Sequence, residues 1–205
     1  LLSAGVYWTV FGWKFALGLV ISIYIHEMGH VVALNRYGIR ATAPMFIPGL
    51  GAIIRLKQYP ATPRENARVG LAGPVWGLGA AVGAYAVSLA TGWASWAAIA
   101  HLGAWINLFN LIPVFGLDGA HGFSSLTRLH RWIAVSVAGL AALVTQDGML
   151  VLITLLGAIR ASTGGAKTRD DGALWLYVFL ILALGAMLLI EVPGIPRERA
   201  PIFGA

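Results

Sequence analysis

The sequence predicts an all-α polytopic membrane protein of about six transmembrane helices, with a small membrane-associated β-hairpin between the first two. Three observations carry that expectation. Of the 205 residues 59% are hydrophobic and only 11% charged, against roughly 25% charged in a soluble domain. The chain therefore cannot clothe a water-facing surface in the usual way. Its apolar residues fall into about six runs that read as helices. Between the first two runs lies a pair of short β-compatible segments around Pro48-Gly49-Leu50-Gly51.

The first apolar run covers about 5–25 and continues without a helix breaker to Arg36. As one helix it would be roughly 48 Å long, longer than the ~30 Å hydrocarbon layer, so its last turns must emerge, tilt or be shielded by protein. Lys14 within it is expected to snorkel or to face the interior. Residues 40–47 and 52–58 are the two arms of the hairpin. Open sheet edges do not survive against lipid, which puts this hairpin at the interface or against protein. Residues 60–68 read as a polar loop. A second helix covers about 69–91 and carries Gly73, Gly77, Gly79 and Gly83 at overlapping four-residue spacings, which permit close helix packing. A third runs over about 93–112. Further apolar stretches at 132–145, 148–159 and 172–190 complete the set, the first two short for full spans. Residues 1–130 form the expected core, 131–191 the C-terminal transmembrane helices and 192–205 a short tail. The chain starts without Met on apolar residues, so an upstream piece is expected.

Net charge is +6, yet no basic face with interleaved aromatics appears, so nucleic acid is not an expected partner. If the hairpin side is cytosolic, 11 of the 14 basic residues lie inside, as the positive-inside rule requires. That orients the end of the first helix toward the cytosol. With no cysteine, disulfides and thiolate zinc sites are excluded, and a metal would have to use His, Asp or Glu.

His26-Glu27-Met28-Gly29-His30 stands near the end of the first helix. Residues four apart share one helix face, so His26 and His30 can bind one zinc ion. Glu27, turned by about 100° around the helix, can reach a water on that ion without ligating it. Three ionisable groups on an apolar helix are costly unless paired or metal-bound; an interfacial cluster satisfied by water and head groups is the blander reading. A catalytic zinc needs a third protein ligand and an open position. Asp118 is a candidate, following Asn110-Leu111-Ile112-Pro113 and set between Gly116 and Gly119, which allow a tight backbone path. It also reads as a helix cap or turn aspartate.

His26 to His30 and Asn110 to Gly119, with Leu71-Ala72-Gly73-Pro74 and Gly49-Leu50-Gly51-Ala52 between them, resemble the site-2 protease family, intramembrane zinc metalloproteases of peptidase family M50. The resemblance covers roughly residues 7–125. It implies one Zn2+ held by His26, His30 and Asp118, with Glu27 as catalytic base. It implies further that Asn110 positions the substrate backbone or stabilises the oxyanion. Asn107, one turn earlier, would have a supporting, substrate-binding role or make a helix-packing hydrogen bond. The expected substrates are transmembrane proteins in a lipid bilayer, cut within or next to their spans. The hairpin would offer an edge for an extended substrate. The expected location is a prokaryotic cytoplasmic membrane, with the site toward the cytosol; oligomeric state is open. The sequence departs from many relatives at Gly116, at Gly119-Ala120-His121 and at Val75-Trp76-Gly77, which bears on access and substrate choice rather than on ligands. His121 could support Asp118 or lie on a helix surface, and His101 and His130 are expected to pack or face an interface. A catalytically inactive member that binds client helices, or a metal-ion transporter, are the alternative functions.

Overall fold

The computed structural model describes residues 13–39, 45–47, 51–53, 60–114 and 116–192. Seven helices lie among them: α1 (Trp13–Arg36), α2 (Pro63–Thr91), α3 (Ala94–Asn110), α4 (Asp118–Ser124), α5 (Arg128–Thr145), α6 (Gly148–Ser162) and α7 (Asp171–Met187). Two, α1 over Ala16–Arg36 and α2 over its whole length, are long and apolar enough to cross a membrane. The apolar helices α6 and α7 are shorter, at 15 and 17 residues. The side chain of Lys14 and the start of the first predicted helix lie outside the described residues.

Two three-residue strands, β1 (Met45–Ile47) and β2 (Gly51–Ile53), pair antiparallel with Met45 opposite Ile53 and Ile47 opposite Gly51. The turn of the predicted hairpin, at 48–50, and the rest of both arms lie outside the described residues.

The start of α2 corrects the expected polar loop at 60–68. Thr62 caps the helix, its hydroxyl accepting from the Glu65 amide at 3.1 Å, while the Ala61 amide donates to the Glu65 carboxylate at 3.0 Å. This reciprocal capping box, with Pro63 at the first helical position, starts the helix six residues before the apolar run does. Arg64 and Arg68 therefore stand on its first turns. α5 likewise starts earlier than expected, at Arg128, because the Thr127 hydroxyl caps it by accepting from the His130 amide. Asp147 and Asp170 cap α6 and α7 in the same way.

α2 is the central element and packs against α1, α3, α4 and α7; α5 packs on α6 and α7. Leu71, Leu108, Leu111, Phe123, Leu126, Leu150, Tyr177 and Leu184 are among the buried side chains where these helices meet. The outward faces are also apolar. Val144, Leu140, Ile159, Trp175 and Phe179 are each more than half exposed, the pattern of a helix set that is hydrophobic all round. One buried cation holds the C-terminal helices to α4. Arg131, only 6% exposed, donates to the carbonyl of Phe123 from Nε (3.2 Å) and Nη2 (2.8 Å), and to those of Arg160 (3.2 Å) and Gly164 (2.5 Å) from Nη1. The first two acceptors lie in the last turns of α4 and α6, where carbonyls lack helical partners and the helix dipole favours positive charge.

Candidate metal centre

α1 brings His26 and His30 onto the face that meets α2 and α3. His30 Nδ1 lies 2.8 Å from the Val69 carbonyl oxygen of α2. A carbonyl can only accept, so this nitrogen carries the proton. His26 Nδ1 lies 2.7 Å from Asn107 Oδ1. The Asn107 amide is oriented by its other end, where Nδ2 donates to the Gly103 carbonyl at 2.7 Å, so its oxygen faces His26 and His26 Nδ1 must donate. In its neutral form each imidazole would therefore turn an Nε2 lone pair toward the same point.

Asp118 completes the group. Its carboxylate oxygens stand 3.1 Å from His26 Nε2 and 3.3 Å from His30 Nε2, and the two Nε2 atoms are 3.2 Å apart. Asp118 is the first residue of α4, and Leu117 occupies the cap position. This corrects the capping alternative, since the carboxylate faces the imidazoles instead of its own helix amides. Asp118 Oδ2 is buried without a hydrogen-bond donor, a costly state for a carboxylate oxygen. Two imidazole lone pairs and two carboxylate oxygens converging in this way repel one another unless a cation or a proton lies among them. Around zinc with ligand bonds of about 2.0 Å, the edges of a tetrahedron are about 3.3 Å. The Nε2–Nε2 spacing matches such an edge, each Nε2 stands at about that distance from one carboxylate oxygen, and the donor set of two imidazoles and a carboxylate suits the ion.

The path from α3 to Asp118 is tightly constrained. The buried Tyr177 hydroxyl of α7 donates to the Leu111 carbonyl. Gly116 has φ of 88°, a region that favours glycine. A Cβ on Gly119 would collide with the Leu111 carbonyl and stand 2.7 Å from that of Ile112. Only glycine lets the first turn of α4 lean this closely on the end of α3.

The four glycines of α2 that share a spacing in the sequence separate in space. Gly73 lies under the two imidazoles and Gly77 under the Asn107 amide, where a Cβ would collide with the groups above it. Gly79 and Gly83 have nothing within 4 Å of a built Cβ. They line a cavity of about 500 Å³ with Ile21, Ser22, Trp76 and Ile99. Sequence reasoning also missed the Val69 carbonyl, which has no side-chain signature.

The remaining candidates fall as follows. Glu27 is half-buried and within electrostatic reach of His26, His30 and Asp118. Asn110 ends α3, part-buried. Asn107 is buried and engaged by protein at both ends of its amide, so its supporting contact is to His26. His121 is exposed, its Nδ1 3.0 Å from Asn66 Oδ1, in keeping with the surface reading. His130 is buried with Nε2 3.1 Å from an Asp171 carboxylate oxygen.

Residues 14–93, which include the two histidines and all of the α2 glycines, match the model of peptidase family M50. This segment of the chain is similar to peptidase family M50. Two relatives extend the likeness past Asp118. Rip3 of Mycobacterium tuberculosis, whose name gives it as a zinc metalloprotease by inference, is 30% identical over 185 residues, covering 84% of this chain and 44% of Rip3. A zinc metalloprotease of Methanocaldococcus jannaschii is 24% identical over 173 residues, covering 76% of this chain and 49% of that protein. The chain thus spans less than half the length of either relative.

Proposed function

We propose that this chain is an intramembrane zinc metalloprotease of the M50 type that hydrolyses peptide bonds within or next to transmembrane segments of membrane proteins. The observation that carries the reading is the convergence of His26 Nε2, His30 Nε2 and the Asp118 carboxylate, all within 4.8 Å of one another, with both histidines on a helix long and apolar enough to span a bilayer. The names of the two relatives support zinc and peptide hydrolysis. The apolar outward faces support a lipid setting, and the basic residues at one end support a site toward the cytosol of a prokaryotic cytoplasmic membrane.

His26, His30 and Asp118 would hold the ion, leaving one position open. Zinc, when bound, would lower the pKa of a water to about 7 and polarise a carbonyl. Glu27, one residue along the helix from His26, takes the proton of the attacking water and passes it to the leaving amine. The Asn110 amide, which makes no hydrogen bond among the described residues, donates to the oxygen on which charge develops. The substrate segment must be locally unwound, since a peptide group in an intact helix is shielded and already hydrogen-bonded. An exposed edge of the β1–β2 pair would hold such a segment as an added strand.

The test uses the full chain purified in detergent. Expected are about one zinc per chain in both the parent and Glu27→Gln, and cleavage of a single-pass membrane substrate by the parent alone. Zinc binding by a parent that cleaves no member of a panel of single-pass proteins from the same cell would point instead to an inactive, client-binding relative.

A further inference from the structure

Gly73 contributes no donor or acceptor side chain, yet it lies closer to the two imidazoles than an alanine could. A Cβ built there would collide with His30 Nε2 and stand 2.7 Å from His26 Nε2. Real Cβ atoms essentially never come within 3.0 Å of another heavy atom. Contact with the far end of a side chain is often relieved by a small swing of that side chain. Here neither ring is free to swing. His30 is tied through Nδ1 to the Val69 carbonyl, one turn before Gly73 on the same helix, and His26 is tied through Nδ1 to Asn107. Asn107 is held in turn by the Gly103 carbonyl and by the α2 backbone at Gly77, where a Cβ would strike its amide.

We propose that Gly73 is a positioning residue of the metal centre: lacking a side chain, it makes the α2 backbone the floor against which both imidazoles are held with their Nε2 atoms 3.2 Å apart. The inference rests on the reading of His26, His30 and Asp118 as metal ligands. A methyl group at position 73 must push at least one ring off its Nδ1 partner, and the two Nε2 lone pairs then no longer meet at one point. α2 supplies no ligand, but its backbone sets the distance between two of them. Gly79 and Gly83 provide the comparison. They stand on the same helix in open space, where alanine is the better helix former.

The experiment uses the full chain in detergent with Co2+ as the probe, because the visible spectrum of cobalt reports its coordination geometry. The parent, Gly79→Ala and Gly83→Ala are expected to bind one cobalt with the same tetrahedral spectrum. Gly73→Ala is expected to bind about 100-fold more weakly or worse, the upper end of what loss of a ligand's supporting contact costs, with an altered spectrum. Parent-like affinity and spectrum in Gly73→Ala would overturn the inference and leave the ligand assignment intact. A parent that takes up no cobalt, or a His26→Ala variant that binds it as the parent does, would defeat the ligand assignment and the inference with it. If Gly73→Ala is too unstable to load, thermal unfolding of the metal-free protein decides. The destabilisation by Gly73→Ala should largely vanish when His26 and His30 are both alanine. If it persists undiminished there, Gly73 serves helix packing alone and the proposal fails.

Discussion

His26 and Asn107 meet across 2.7 Å although they stand 81 positions apart, and this contact decides which nitrogen of His26 faces Asp118. The amide oxygen needs a donor, so Nδ1 holds the proton and, in the neutral ring, Nε2 keeps its lone pair. Asn107→Ala removes the acceptor and frees the ring to turn. Zinc affinity should fall about 10–100-fold, the range found for partners that orient a ligating histidine, as measured by competition with a chromophoric chelator. Asn107→Asp keeps an acceptor in place and should bind more tightly than Asn107→Ala. Equal affinities for parent and alanine variant would show that the α1 backbone alone sets the ring.

Tyr177 ties α7 to the segment that leads into Asp118, through its hydroxyl and the Leu111 carbonyl. Both groups are fully buried, so Tyr177→Phe leaves a carbonyl without its donor. The expected cost is about 1–3 kcal/mol, read as a lowered midpoint in thermal or denaturant unfolding. Zinc affinity should fall as well, because the loop end that aims α4 is loosened. A Tyr177→Phe protein as stable as the parent would mean that a water replaces the hydroxyl.

Arg131 forks onto three carbonyl oxygens, those of Phe123, Arg160 and Gly164. A lysine ammonium is a point charge on a flexible stem and cannot span the same set. Arg131→Met should destabilise the chain by about 2–4 kcal/mol, since buried acceptors lose charge-assisted partners. Arg131→Lys should recover less than half of that. Equilibrium unfolding in a mild detergent gives the comparison, and full recovery by lysine would contradict the forked geometry.

The parts of this site carried by side chains were legible in the chain itself. His26, Glu27 and His30 stand out because ionisable groups are expensive on an apolar helix, and Asp118 because few acidic residues exist to complete a ligand set. What remained open for Asp118 was a local matter. A cap and a ligand look alike until the position of Leu117 relative to α4 is known. The Val69 carbonyl could not be read, since every residue has one. Gly73 and Gly79 differ by nothing in sequence spacing that predicts which of them faces a ligand; in space, the imidazoles press on Gly73 while Gly79 borders a cavity. The early start of α2 was readable, because Thr62 and Glu65 three residues later form a capping box. It was obscured by the charged residues that follow.

The short helix that presents Asp118 comes late in the chain relative to the imidazoles it faces. At a synthesis rate of about 5–20 residues per second, the nascent protein exists for roughly 4–18 seconds with both imidazoles made and the carboxylate still to come. A product terminated before residue 118 carries two of the three donors and no more. The three-residue centre cannot exist until four helices, from α1 to α4, have been made and have met.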